Sequence, residues 1–502
     1  MGSSAEFDEK VSSRSKPEVE HHEVSTKEVD TGAALLAGDD TEIDPAEAIR
    51  IRKKIDRHIM PLMCMLYWIQ FTDKTTLGSS AILGIEAATH LTTNEYNWLG
   101  TIFYLSYLVF EYPQNLALQR FPVGKWMSLN ILVWAIALCA HAACKNFAGL
   151  FVVRLILGMC EGSITAGFMI VSSMFYTRNE QTLRVGYWFL MNGTAQIISG
   201  FISFGSLHIK TSGFEPWQWL MIIMGTITLI VALCFFFLFP DSPVNAWFLT
   251  PEERAIAVLR IRENQTGVEN KHFKKEQMIE ALLDPKTWIK RLSLLPYGFT
   301  DLQTTLLSCV NGVVEILTIG TGVNIAARYP NSRAYVGFVY FIPNILGVIL
   351  INTLPWSDRV GLLFGQYLTG VGTTGFVLAL SWVSSVTAGH TKRVTTNAIM
   401  LSAYCIGNAA APFMWQQKYK PRNHVPWLII GICYACCMAL LLLIRFHLNR
   451  QNKIRDAEPR DDSYDNVYIE RVNDDGTVDE IKVEKGFLDL TDTQNRDFRY
   501  VL

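Results

Sequence analysis

Charge is what this chain has little of, and its absence is patterned. Only 18% of the 502 residues are Asp, Glu, Lys or Arg, and the formal net charge is −2. A net charge so near zero gives no sign of nucleic acid as a partner, and none is expected. The ten cysteines lie in or beside apolar runs, so they do not form a disulfide scaffold. Cys433 and Cys436 make a C-x-x-C spacing, with Cys437 adjacent, but no second pair exists to complete a four-ligand zinc site. A P-loop, H-E-x-x-H and G-x-S-x-G are all missing, so ATP-driven pumping, zinc proteolysis and serine hydrolysis have no machinery here. No catalytic residue, metal or cofactor is expected, and the chain does not read as an enzyme.

What fills the space is hydrocarbon. About eleven apolar stretches of about twenty residues run between residues 60 and 445, each long enough for the ~30 Å core of a bilayer. They do not alternate as barrel strands would, so the fold is an all-α membrane protein. The spans read as 61–83, 97–117, 127–145, 149–172, 184–207 and 217–239, then 302–325, 334–355, 359–385, 394–414 and 425–445. Arg50, Arg52, Lys53, Lys54 and Arg57 precede the first span and place the N-terminus in the cytoplasm. The loop 86–96 carries Glu86 and Glu95 and no cation, whereas Arg120, Lys125, Arg178 and Arg184 mark the inside loops. Trp68, Trp98, Trp126, Trp217 and Trp427 stand near span ends as expected interfacial anchors. Between the two sets of spans lies a basic segment in which Thr250-Pro251-Glu252-Glu253 predicts a capped amphipathic helix. The alternation then breaks. Five further spans would strand Arg445, Arg450, Lys453 and Arg455 outside, so one span is hidden or absent.

Six spans, a long basic loop and a second set of spans resemble the major facilitator superfamily. Gln70-Phe-Thr-Asp-Lys-Thr-Thr-Leu77, Glu111-Tyr-Pro-Gln-Asn-Leu116 with Phe121-Pro-Val-Gly-Lys-Trp126, and Arg154-Leu-Ile-Leu-Gly158 with Glu161-Gly162 are similar to the fungal allantoate permease subfamily of anion:cation symporters. So are Tyr176-Thr-Arg-Asn-Glu180, Arg262-Glu-Asn-Gln-Thr-Gly267, Asp489-Leu-Thr-Asp492 and Asp497-Phe-Arg-Tyr500. The resemblance covers about residues 45 to 502. Relatives place a seventh span between Asp284-Pro-Lys-Thr-Trp288 and Phe299-Thr-Asp-Leu-Gln-Thr304; here those segments nearly abut. About 25–30 residues, one span's worth, are missing. A splice or gene-model deletion accounts for this, with a natural eleven-span variant as the alternative.

Ionisable groups at bilayer depth cost several kcal/mol unless paired or wet, so each marks a candidate site. Asp73 and Lys74 sit mid-span in the first stretch. Lys74 can attract an anionic substrate while Asp73 supports it or carries a proton; a structural ion pair with another span is the other reading. The resemblance assigns a substrate or coupling role to the cation at Lys74. Arg154 and Glu161, seven apart, share one helical face. Arg154 is placed with the substrate contacts, and Glu161 is a proton-coupling candidate, against a structural ion pair. Glu315 is the counterpart in the second half. Glu111 and Arg120 read as a gate. Tyr67, Gln70, Asn192, Gln196, Asn311 and Gln366 are further substrate contacts, with Asn344 a possible cavity residue, each against a plain interhelical hydrogen bond. Gly158/Gly162 and Gly361/Gly365 predict close helix approach.

The expected organisation is a disordered cytoplasmic tail (1–45), a six-span bundle (46–240), a linker (241–300), an incomplete bundle (301–447) and a second cytoplasmic tail (448–502). The resemblance implies a major facilitator type two-bundle fold that performs proton-coupled uptake of a small organic anion: allantoate, ureidosuccinate or a carboxylate vitamin. Its partners would be that substrate, protons and the bilayer, in a monomer at the plasma membrane. The alternative is a non-transporting sensor or inactive splice isoform.

Overall fold

The structure, a computed structural model, describes residues 44–209, 211, 213–261, 264, 274–283, 301–414, 419, 422–459, 467–472, 478–482 and 488–502, with His22 and Glu23. Most of the expected disordered tail, the junction 284–300 and most of the Arg262–Gly267 motif lie outside the described residues.

Helices dominate. The first half contains α1 (Pro45–Ile82), the short α2 (Ile85–Ala88), α3 (Thr93–Arg120), α4 (Val123–His141), α5 (Phe147–Phe175), α6 (Arg178–Phe189), α7 (Met191–Leu207) and α8 (Pro216–Leu238). Local chemistry starts them. Asp44 caps α1 by accepting from Ala46 N at 3.0 Å, Thr92 and Glu95 form a reciprocal capping box on α3, and Asn146 accepts from Gly149 N at 3.0 Å on α5. Gly84, at φ 92°, supplies the left-handed turn that ends α1. The linker holds α9 (Pro251–Ile261) and α10 (Lys275–Leu283). Thr250 and Glu253 form the capping box read from the sequence, and Glu253 also grips Lys54 of α1 at 2.6 Å. The second half contains α11 (Asp301–Arg328), α12 (Arg333–Thr353), α13 (Arg359–Gly370), α14 (Thr373–Ser385), α15 (His390–Met414) and α16 (His424–Asp456). Among the described residues, strands occur only in the terminal segments: β1 (His22–Glu23) runs parallel to β2 (Val467–Val472), which pairs antiparallel with β3 (Val478–Lys482).

The eleven spans correspond to α1, α3, α4, α5, α6–α7, α8, α11, α12, α13–α14, α15 and α16. Seven are long and apolar enough to cross a membrane by length and composition alone. The four that are not, α1, α3, α6–α7 and α15, face the centre. There the halves meet along α3 with α15 and α7 with α11. Gly193 and Gly312 face each other across the second seam, where a Cβ on either would strike the other's carbonyl. Gly158 likewise lets α5 lie against α3, and its Cβ would meet Phe103 O and Ser106 Oγ. Gly361 instead packs against its own cap, Asp358. Trp217 and Trp427 are each 2% exposed and fill interior space, so the interfacial role expected from their positions is corrected.

One end of the bundle, called here the tail face, collects the start of α1, α9, α10 and the C-terminal segment. α10 ends there, since Lys274 N donates to Thr391 Oγ1 and Glu280 pairs with Lys392 at the start of α15. α11 also ends there, since Asn331 beyond it contacts Arg445 and Leu502. α11 therefore begins at the opposite, far face, whereas α10 lies at the tail face. This resolves the broken alternation: Arg445, Arg450, Lys453 and Arg455 return to the same face as Arg50. The halves are also unequal. α4 packs on α8 and α12 packs on α16 in matching fashion, while α1 packs on α7 and α8 with no described counterpart between α15 and α16. The most apolar window of α16 is accordingly 22% buried, against 44% for its mate α8.

Residues 488–502 dock on the tail face. Phe498 and Asp492 are fully buried. Lys392 Nζ lies 2.8 Å from Asp492 Oδ1, and Tyr500 OH donates to Asp492 Oδ2 at 2.8 Å. Arg455 donates to the carbonyls of Phe498 and Asp492, and Trp382 to that of Val501. The segment also reaches the first half: the Arg178 guanidinium lies 4.0 Å over the Phe498 ring and donates to Arg499 O.

Candidate functional site: a central polar cavity

A cavity of about 280 Å³ lies between the halves. From the first half it is lined by Tyr67, Gln70, Phe71 and Lys74 of α1, Tyr107 of α3, Thr165 of α5, Phe189 of α6, and Asn192 and Gln196 of α7. From the second half come Asn311 and Glu315 of α11, Phe341 and Asn344 of α12, residues around the α13–α14 break, and Tyr404 of α15. Cys433, Tyr434 and Cys437 of α16 complete it. The Cys433–Cys437 cluster thus faces a cavity, and among the described residues no group of side chains could hold a metal.

Lys74 is the one cation lining this space among the described residues. Its side chain is 12% exposed, and Nζ lies 3.7 Å from Glu161 Oε2 and 5.6 Å from the Tyr107 ring centre. Glu161 is fully buried behind it on α5. Asp73, one residue and ~100° of helix away, turns to α8, where Thr228 Oγ1 donates to its Oδ2 at 3.2 Å. Arg154, 2% exposed, sits in the electrostatic reach of Tyr96, Glu161 and Asp73. Asp73, Glu161 and Arg154 therefore form a charged layer behind the wall and do not line the cavity.

The opposite wall is a hydrogen-bonded chain. Asn311 Nδ2 donates to Gln196 Oε1 at 2.8 Å, and Gln196 Nε2 donates to Glu315 Oε2. Asn344 brackets the α13–α14 break, accepting from Gly372 N at 2.7 Å and donating to Thr369 O at 2.9 Å. It thereby satisfies backbone groups that the interrupted helix frees. The sequence reading ran 359–385 as one span; Gly370 and Gly372 were the signal of the break.

Tyr67, Gln70, Lys74, Asn192, Gln196, Asn311 and Glu315 thus line one cavity. Gln366 does not. Glu111 is buried and accepts from Asn115 Nδ2 at 2.7 Å, and the cation within its electrostatic reach is Lys74. Arg120 is exposed, and no described ion pair joins it to Glu111. The gate expected from these two residues is therefore not a contact in this structure. The sequence reading missed the aromatic lining. Tyr67 lies 4.6 Å from Trp188 and 5.0 Å from Phe189, and Phe189 meets Phe376 across the halves at 5.8 Å. Such rings are indistinguishable in sequence from lipid-facing ones.

Towards the tail face the cavity is sealed. Residues 160–176 of α5 and the segment after it are buried without a break, as are 384–398. Arg393 Nη1 donates to Ser173 Oγ at 2.7 Å, and Gln119 Nε2 to Thr391 Oγ1 at 3.0 Å, both across the halves.

Residues 63–450 match the Major Facilitator Superfamily. The chain is 35% identical over 472 residues to the Thiamine pathway transporter THI73 of Saccharomyces cerevisiae, covering 90% of this chain and 86% of that one. It is 31% identical over 492 residues to the Allantoate permease of the same yeast, covering 92% and 88%. That alignment uses 92% of 502 residues, about 462, in 492 positions, so about thirty permease positions stand opposite no residue here. Among solved structures, the proton:xylose symporter XylE matches with a TM-score of 0.58 at 10% identity, covering 81% of this chain and 96% of that one. Fold, cavity and relatives agree: this multi-pass membrane protein belongs to the Major Facilitator Superfamily of transporters and is not an enzyme.

Proposed function

We propose that the chain carries a small organic anion of the allantoate, ureidosuccinate or carboxylate-vitamin class, together with protons, into the cell. The observation that carries this reading is the Lys74–Glu161 pair at 3.7 Å. A substrate carboxylate entering the cavity competes with Glu161 for the Lys74 ammonium. A proton taken up by Glu161 at that moment leaves Lys74 to the substrate, and one anion plus one proton cross without net charge. The layer supports such traffic in its composition, since Asp73, Glu111, Glu161 and Glu315 outnumber Lys74 and Arg154. Neutral release on the other side regenerates the pair.

The tail face is read as cytoplasmic because Arg50, Arg52, Lys53, Lys54, Arg445 and Arg450 cluster there, and the plasma membrane is the proposed location. The described conformation is then closed to the cytoplasm. Alternating access rocks one half on the other, so release inward must break the cross-half contacts of Arg393, Gln119 and the docked tail. Uptake of labelled allantoate into cells that lack their own permease tests the proposal. Uptake should need Lys74 and rise as external pH falls; uptake by Lys74→Ala at the wild-type rate would remove the cation's role.

The poor burial of α16 favours a second reading, in which a chain one helix short binds substrate but does not cycle. Binding without flux, with flux restored by inserting an apolar segment of about 25–30 residues between Trp288 and Phe299, would establish it.

A further inference from the structure

We propose that the C-terminal segment is an autoinhibitory latch: docked, it pins the second half to Arg178 of the first and holds the tail face closed. The proposal rests on the reading of the chain as a transporter whose halves rock against each other. To that reading it adds a regulator carried by the chain itself.

The segment is anchored in the second half and reaches the first through Arg178. Asp489 accepts from His390 N at 2.6 Å, and Gln277 of α10 donates to its carbonyl at 2.8 Å. Trp382 of α14 donates to Val501 O at 2.7 Å, and Leu502 N donates to Asn331 Oδ1 at 3.1 Å. These partners lie in α10 or in the second half. Arg178 opens α6 in the first half. Its guanidinium lies 4.0 Å over the Phe498 ring, and Nη1 donates to Arg499 O at 3.3 Å. The Arg178 carbonyl also accepts from Arg333 Nη2 of α12 at 3.0 Å. Asn264 fixes Arg178 on its own side, accepting from Arg178 N at 2.8 Å and donating to Tyr176 O at 2.9 Å. The segment and α12 therefore converge on one anchored residue of the opposite half.

Charge couples docking to closure. The closed face brings three guanidinium groups within one another's reach: Arg178 from the first half, Arg333 and Arg393 from the second. Arg178 and Arg333 donate there to neutral oxygens, those of Arg499, Asn264, Ser385 and the Arg178 carbonyl. Burial, with Arg393 and Arg333 behind it, pulls Arg178 down from its ordinary 12.5 to about 9, and Asp492 works against that shift. The acid that offsets the crowded cations is thus supplied by the segment. With the segment gone, the repulsion is relieved by parting the halves and admitting water. Coupling of this kind is reciprocal: closure favours docking as strongly as docking favours closure.

The test uses the purified full-length chain with a nitroxide at each of two exposed tail-face positions, Glu252 of α9 and Lys453 of α16. The labels are attached through p-acetylphenylalanine, which leaves the ten native cysteines untouched. Double electron–electron resonance reads the distance between the halves, and trypsin reads whether the segment is docked. Wild type is compared with Phe498→Ala, Arg178→Met and the two combined; either single variant carries the test if the other fails to fold. Wild type should show the short distance. Loss of a desolvated cation–π contact should raise the longer-distance population about tenfold in each single variant, with faster cutting at Arg496 and Arg499. The combined variant should add little to the larger single effect, because both substitutions remove one contact. Faster cutting at an unchanged distance overturns the latch, since the segment then rests on the face without holding it. Wild-type cutting in the single variants, or fully additive effects on the distance, overturns the pin at Arg178. Neither readout needs substrate, so a chain that fails to carry allantoate can still show the latch, and the two failures separate.

Discussion

Asp492→Ala should release the C-terminal segment from the tail face. The Asp492 carboxylate is fully buried and binds Lys392 Nζ and Tyr500 OH, both at 2.8 Å, and Ala388 N at 3.3 Å. Burial opposes charge on Lys392, but Asp492 and Glu280 outweigh it and hold the amine above its ordinary range. Removing one partner of a buried ion pair costs about 3–5 kcal/mol, because the other charge stays behind. Glu280, 2.6 Å from the same Nζ and 27% exposed, retains part of the interaction, so the lower end, about 3 kcal/mol, applies. That corresponds to a population of the undocked segment raised by about 100-fold. Trypsin cutting at Arg496 and Arg499, whose side chains are 38% and 41% exposed, reads that population directly. The variant should be cut about 100-fold faster than wild type, at unchanged cutting elsewhere. Lys392→Met combined with Asp492→Leu removes both charges and should restore much of the protection. Wild-type cleavage of Asp492→Ala would refute the reasoning that this pair holds the segment down.

Glu161→Gln keeps shape but cannot carry a proton, so uptake should lose its dependence on external pH; an unchanged pH profile would clear Glu161 of coupling. Gly158→Val would drive a side chain into Phe103 O and should lower the melting temperature sharply, as overpacking costs about 1–3 kcal/mol or more. Burial pushes the His390 imidazole at the tail face down from 6.5 to about 4; Asp489 works against that shift, while Arg393 and Lys274 reinforce it. The unfolded chain then takes a proton near pH 6.5 that the folded chain refuses until about 4. Stability is therefore complete above pH 6.5 and falls by up to about 3 kcal/mol as pH drops to 4. His390→Asn should flatten the melting temperature across that window.

The spans were legible because lipid leaves one solution to a run of about twenty apolar residues. The break in the alternation was legible too, since Arg445 and Arg50 share the tail face. Lys74 could be singled out because a cation at mid-depth is expensive. Its partner could not, because Glu161, Arg154 and Asp73 lie on two helices whose rotation depends on packing. The sequence had Asp73 beside Lys74 on one helix, and the structure sends them to α8 and α5. The C-terminal motif was visible as a resemblance only. Docking of Phe498 and Asp492 depends on Arg455, Lys392 and Arg178, which come from three helices and no local pattern. The α13–α14 break was hidden in an apolar run, and Asn344, which brackets it, read as one more interhelical hydrogen bond.

The claim on which the account stands is that Lys74 draws a carboxylate into the cavity. The direct measurement is the affinity of the purified chain for N-carbamoyl-β-alanine, compared with Lys74→Gln/Glu161→Gln, which leaves no bare carboxylate behind. A charge-assisted hydrogen bond is worth about 1.5–3 kcal/mol, so the double variant should bind about 10- to 150-fold more weakly at an unchanged fold. Equal affinity in the two proteins would contradict the account.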